Sequence, residues 1–323
     1  MNTFVTIGRG LCAGSLDSRW IRQRLVSMLA AMAAAATAQA GLSFNITYTA
    51  AVQANPNFAS IQTAVNYVAN EYSTAYTDNI TLNFTVDQNS SGLGQSLFSN
   101  AYWRGSYAAL RAALVADAKT ANDAVATAAG NLPAADPYGA GATGWYATSA
   151  EAKALGLIAG NQAASDGTYT FNSTVGYTYN PANRGAAGLY DFIGVTEHEF
   201  SELMGRTSQI RNTGFGYDIF DTMRFTNVGV RDATPTGTGV YYSFNNGATA
   251  LAGYNSGSGD IQDFNGAIAT DPFNASTGTG QAHSLSTLDY NLLDVIGYDQ
   301  VPAPSSLVLL AGGGLLTNRR RRR

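Results

Sequence analysis

Apolar and polar positions alternate over residues 42–48 and again over 80–86, the period of a strand with one face on a core. Between them Phe58, Ile61, Val65, Val68 and Tyr72 recur at helical spacing, predicting an amphipathic helix over about 57–75. A second helix is expected over 107–119, with Leu110 and Leu114 on one face, and a short one over 149–158, opened by Ser149 with Glu151 close behind. Residues 168–171 and 175–179 read as a hairpin. The best-defined helix runs from Asp191 to Arg206, led by Leu189 and Tyr190. After Gly214 the texture changes to Gly, Asn, Thr, Asp and aromatics, with short strand candidates at 223–225 and 240–244. A last helix over 285–296 starts at Ser286, with Asp289 three residues on as a capping-box partner, and stops at Gly297. The expected fold class is α+β, a single domain with a loop-rich C-terminal lobe.

Both ends break this pattern. Arg19, Arg22 and Arg24 precede an apolar run over 25–36 and the small-residue site Ala38-Gln39-Ala40, the layout of a secretory signal peptide over 1–40. The other end reads Val301-Pro-Ala-Pro-Ser-Ser306, then ten mostly apolar residues, then five arginines. It resembles the PEP-CTERM sorting tail of exported bacterial proteins, with Ala303 in place of the central Glu. The expected organisation is therefore leader 1–40, domain 41–300 and sorting or anchor tail 301–323. The implied location is exported, at the cell surface or outside it, with transient membrane anchoring through the tail. The implied partners are the export machinery and a C-terminal processing enzyme.

Charge then reads differently from its total. The formal net charge is −4, but nine of the 18 basic residues lie at the ends, leaving nine against 21 acids over 41–301, or −12. Such a body is a poor nucleic-acid partner. The single cysteine, Cys12, lies in the leader, which excludes an intramolecular disulfide and a thiol nucleophile in the domain. No G-x-S-x-G, phosphate loop or dinucleotide fingerprint occurs.

Chemistry concentrates in Asp191-Phe-Ile-Gly-Val-Thr-Glu-His-Glu-Phe-Ser-Glu-Leu-Met-Gly-Arg206. His198 and Glu202 are four apart and meet on one helical face, where an imidazole nitrogen and a carboxylate oxygen can share a metal. Glu199 lies beside them, as the base does in H-E-x-x-H helices; here the second histidine is a glutamate. Val195, His198, Glu199, Glu202 and Arg206 are expected on the side of the helix away from the packed face. A solvated surface reading, with Glu202 and Arg206 as an ordinary i, i+4 pair, competes with the metal site.

The segment 190–206 resembles the core of an exported bacterial metalloprotease family, metzincin-like, with an H-E-[IF]-[ST]-E-x-M-G-R helix. The likeness extends to Ser149-Ala-Glu-Ala-Lys-Ala-Leu-Gly156, Asp221-Thr-Met-Arg-Phe225, Tyr241-Tyr-Ser-Phe-Asn-Asn-Gly247 and residues 285–298. It implies a metallopeptidase domain that hydrolyses peptide or protein substrates, with His198 and Glu202 as ligands, Glu199 as catalytic base and Zn2+ as cofactor. Arg206 would orient Glu202. In metzincins the third ligand lies ten residues after the first, but that position is Ser208. Asp221 and His283 are the candidates for it, with Asp218 a further one, and a carboxylate-rich set also admits another divalent metal. The alternative is a non-catalytic surface or matrix protein with a degenerate or structural metal site.

Overall fold

The computed structural model describes residues 41–99, 102–141, 144–210 and 216–302. The expected leader, and the tail beyond its first two residues, lie outside them. The described chain is mixed α+β, 28% helical and 22% strand, so neither class dominates. Among the described residues no helix is long and apolar enough to cross a membrane.

The principal sheet is built from β1 (Ser43–Tyr48), β2 (Thr81–Asn89), β3 (Gly94–Phe98) and β4 (Gly167–Asn172), in the order β1-β2-β4-β3. The first three in that order are parallel, β1 registered on β2 from Ser43↔Thr81 to Tyr48↔Val86. Helix α1 (Phe58–Ala75) is the crossover between β1 and β2, as a parallel pair requires. It buries Ile61, Val65, Val68 and Tyr72, the residues of the apolar stripe. β2 buries Leu82, Phe84 and Val86 in strict alternation. β3 runs antiparallel to β4 and forms the edge of the sheet. Its Gly-Gln-Ser-Leu-Phe sequence carries little apolar alternation, and the pattern of the chain does not announce it.

Helices α2 (Tyr107–Asp117) and α3 (Ser149–Ala154) follow, then α4 (Phe192–Leu203) and α5 (Thr287–Val295). α3 is capped by Thr148, whose hydroxyl accepts from the Glu151 N–H at 3.1 Å, one residue earlier than the expected start. α5 carries the expected Ser286/Asp289 capping box. The expected hairpin is not formed. Residues 167–172 are fully used as β4 between β2 and β3, so Tyr177–Thr178 pairs instead with Tyr190–Asp191. The loop-rich half appears as short antiparallel strands, Arg224–Asn227, Val230–Arg231, Tyr241–Tyr242 and Ala252–Gly253, joined by turns.

α4 packs on the sheet through Phe200. Its ring lies 5.0 Å from Phe84 (edge-on), 5.8 Å from Phe44 (stacked) and 6.0 Å from Tyr169 (edge-on), all arrangements that aromatic quadrupoles favour. Eleven of the twelve residues of α4 are buried and His198 alone is partly exposed, so the competing reading of a solvated surface helix does not hold. Its polar face lies under the C-terminal lobe.

A buried ion pair ties α3 to the sheet. Lys153 is 3% exposed; its Nζ donates to Asp166 Oδ2 at 2.6 Å and to the carbonyls of Thr81 (2.8 Å) and Gln162 (3.2 Å). Removing one partner of such a pair strands the other's charge in an apolar interior. Lys153→Met is expected to lower unfolding stability by about 3–5 kcal/mol in a denaturant titration.

Candidate metal centre

α4 starts at Phe192 without a side-chain cap. Asp191 instead directs Oδ2 to Arg184 Nε (2.9 Å) and to the His283 N–H (3.0 Å). Arg184 also grips Glu197 with two parallel bonds of 2.9 Å, and Tyr72 donates its hydroxyl to the Glu197 carbonyl at 2.8 Å. These contacts fix the helix's rotation, so its next turn presents His198, Glu199 and Glu202 toward the lobe. Thirteen residues of sequence separate Arg184 from Glu197, with no periodic relation to signal the pairing.

The chain leaves α4 through Gly205, whose φ of +118° no side chain readily adopts. A Cβ there would also lie 3.0 Å from the Glu151 carboxyl. The turn folds Arg206 back along the helix, fully buried. Its Nε donates to Ser201 Oγ (2.8 Å) and its Nη1 to Asp263 Oδ1 (2.8 Å), while Nη2 lies 3.5 Å from Glu202 Oε1. The guanidinium lies over the Phe273 ring at 4.5 Å.

Asp263 is the residue that the sequence did not point to. His198 Nε2 lies 3.5 Å from Glu202 Oε1 and 3.4 Å from Asp263 Oδ1. Ligand atoms of the three residues fall within 4.8 Å of one another, the one such group among the described residues. Two ligands at about 2.1 Å on a tetrahedral ion lie about 3.4 Å apart, so these separations suit a shared divalent cation. The other ring nitrogen supports this. His198 Nδ1 meets the Pro272 carbonyl at 2.8 Å, and a carbonyl only accepts, so Nδ1 carries the proton and Nε2 can offer its lone pair to an ion. Glu202 is oriented by Ser96 of β3 (Oγ to Oε2, 2.6 Å) and by Gln262 (Nε2 to Oε1, 2.9 Å). A buried His–Glu–Asp group able to hold a metal ion is thus present.

Electrostatics separate the carboxyl groups. Burial raises Glu202, but hydrogen bonding and charge from His198, with Arg206 and Ser96, bring it down to about 2. Asp263 is raised by burial to about 6, since His198 and Arg206 offset only part of the desolvation. Burial opposes protonation of His198, yet the Asp263 and Glu202 carboxylates carry it up to about 10, so a metal ion and a proton compete for Nε2. Glu199 is pushed well above the carboxylate range by burial and by the Glu202 charge, and its Oε2 accepts from no group.

Glu199 is where two clefts of about 490 Å3 each meet; both are also lined by Gly92, Gly94 and Asp260. Gly94 is required there, because a Cβ at 94 would lie 2.3 Å from Glu199 Oε1.

The two expected candidates for the third ligand are employed elsewhere. Asp221 is fully buried and accepts from Ser208 Oγ (2.5 Å), the Asp218 N–H (3.0 Å) and the Gln209 N–H (3.3 Å). Asp218 accepts from Thr207 Oγ1 (2.7 Å) and the Asp221 N–H (3.1 Å). Both acids therefore brace the turn after α4. His283 lines one of the clefts with His198, but its Nε2 lies 3.2 Å from Thr277 Oγ1, and burial lowers its basicity. The only trace of Asp263 in the sequence is an acid between Ile261 and Phe264, both 2% exposed, in a run of otherwise small and polar residues.

If the group holds a divalent cation, Asp263→Ala should weaken its binding, measured by competition titration, by tenfold or more. Asp221→Asn should lower thermal stability and leave that affinity unchanged; the reverse pattern would restore Asp221 as the ligand. No family model matches the chain, and no curated protein or solved structure matches it.

Proposed function

We propose that the protein is an exported metal-dependent peptidase, with Zn2+ as the metal, in the manner of the metzincin-like family that 190–206 resembles. The observation that carries the reading is Glu199: a buried carboxyl with an unused oxygen, beside a His–Glu–Asp group, where two clefts meet. Leader and tail belong to the same reading and place the activity outside the cytoplasm or at the cell surface.

His198, Glu202 and Asp263 would hold the cation, and Arg206 keeps the two carboxylates side by side against their mutual repulsion. When bound, a divalent cation supplies Lewis acidity to a peptide carbonyl and lowers the pKa of water. Glu199 would act as the general base toward the attacking water and as the acid toward the leaving nitrogen. Burial and the Glu202 charge favour its protonated form, as the acid role requires. β3, at the sheet edge, carries Gly94 against Glu199 and Ser96 on Glu202, and an extended substrate chain can add along such an edge.

Arg206 also favours a second reading. It compensates Glu202 and Asp263 without any ion, as a structural or degenerate site in a non-catalytic surface protein would require. The two readings part at Glu199. Glu199→Gln should retain the metal, measured by elemental analysis, and reduce hydrolysis of an unfolded protein substrate by about 10²–10⁴-fold, the usual weight of a general base. Hydrolysis at the unsubstituted rate would remove Glu199 from the chemistry. Absence of hydrolysis by the unsubstituted, metal-loaded protein would favour the structural reading.

A further inference from the structure

β3 passes the metal centre in a register set by β4. The Leu93 carbonyl accepts from the Asn172 N–H at 2.9 Å, and the antiparallel pairing continues from Gly94↔Phe171 to Phe98↔Gly167. Bonded and non-bonded pairs alternate along such a ladder, so Leu93, Gln95 and Leu97 turn their N–H and C=O groups toward β4. Gly94, Ser96 and Phe98 turn theirs to the open edge of the sheet. The same period of two puts these three residues on one face, the face over α4, with Gly94 against Glu199 and Ser96 on Glu202. Phe98 is third in that row, about 7 Å beyond Ser96 and about 13 Å beyond Gly94 at the usual strand rise.

Phe98 is 39% exposed. A lone exposed aromatic is ordinary on a protein surface. Phe98 differs in what surrounds it. It lines the cleft that it shares with Glu199 and Glu202, and it is the one apolar side chain among the described residues lining that cleft. The others are glycines, acids and uncharged polar groups such as Gln95, Thr207, Gln209 and Gln262. The second cleft that meets Glu199 is of another kind, with Leu93, Val195 and Pro272 in its wall. Leu97, next to Phe98 and 49% exposed, lines neither cleft.

An extended chain added to this edge hydrogen-bonds to Gly94, Ser96 and Phe98 and pairs with β3 residue for residue. A peptide bond placed over Glu199 and the His–Glu–Asp group lies opposite Gly94 and Ser96, so the residue beside Phe98 is two to four positions from it. We infer that Phe98 is a specificity-determining residue, and that the substrates are extended peptides with a large apolar side chain two to four residues from the scissile bond, on the side of the polar cleft. This rests on the proposed function. A substrate side chain set against Phe98 leaves water at a point where the rest of the cleft offers polar groups only. Apolar burial at that one position then separates substrates from other extended chains.

The test uses the full, Zn2+-loaded protein and decapeptides of Ala, Ser and Gln with a single Phe stepped from position to position, the cuts being read by mass spectrometry. The cut should move with the Phe, two to four residues from it and always on the same side. Phe98→Ala should abolish this tracking and raise KM about tenfold with little change in kcat, because the lost contact binds ground state and transition state alike. Phe98→Leu should retain the tracking, and Leu97→Ala, on the other face of β3, should behave as the unsubstituted protein. A Phe seated in the second cleft would place the cut on its opposite side. Tracking of that kind alone, unaltered by Phe98→Ala, would overturn the inference, as would equal effects of Leu97→Ala and Phe98→Ala. Binding separates this result from the proposed function. The Glu199→Gln protein should bind a fluorescein-labelled decapeptide about tenfold more tightly with Phe than with Ser in its place, a difference lost on adding Phe98→Ala. That binding without hydrolysis by the unsubstituted protein would overturn the peptidase reading and keep Phe98 in peptide recognition. Hydrolysis indifferent to the position of Phe would overturn the role of Phe98 alone.

Discussion

Arg206 is fully buried, and three parts of the chain converge on its guanidinium: Ser201 and Glu202 from α4, Asp263 from the C-terminal lobe, and the Phe273 ring beneath it. Two carboxylates held beside each other away from water repel, and desolvation alone would neutralise both. The guanidinium, always charged and with donors in a fixed fork, bonds directly to one of them and lies within ion-pair range of the other. A lysine would offer a single point charge and no stacking plane for Phe273. The lobe is joined to the helix at this point by charge as well as by apolar packing, so the position of Asp263 relative to His198 depends on it.

Three glutamates on one helix have three fates, decided by what each meets. Glu197 faces Arg184 and is neutralised in a bidentate pair that sets the helix's rotation. Glu202 meets His198, Arg206, Ser96 and Gln262, and is held ionised. Glu199, between them in sequence, points where β3 passes overhead and finds no donor for one of its oxygens. Neighbouring carboxyl groups with pKa values driven apart are the arrangement in which one acid binds charge and another moves protons. The separation here comes from the tertiary contacts, since all three side chains share one helix and one residue type.

The site is also layered. Phe200 locks the helix onto the sheet through Phe44, Phe84 and Tyr169, while β3 reaches over it with Gly94 on Glu199 and Ser96 on Glu202. From the C-terminal lobe the Pro272 carbonyl meets His198. Nothing in that outer layer belongs to the helix that carries the motif.

What sequence periodicity made legible was whatever one face of one element determines: β1 and β2 by alternation, α1 by its apolar stripe, α5 by its capping box, and His198, Glu199 and Glu202 by spacing on one helix. Each depends on neighbours within about one helical turn or one strand, where backbone geometry converts spacing directly into direction. The expected hairpin over 168–179 failed because both edges of 167–172 were claimed by distant strands, a competition local pattern cannot register. β3 was missed because an edge strand with Gly94 and Ser96 facing the site lacks an alternating core face. Asp263 and Arg184 were invisible for a related reason: a buried charge is chosen by the partner it meets across the fold, and that partner lies anywhere along the chain. The sequence by itself determined which helix carries the candidate metal ligands His198 and Glu202, and that histidine is too scarce to supply a three-histidine site. Only the tertiary structure decided which carboxylates join His198, because that depends on which charges burial brings within reach of one another.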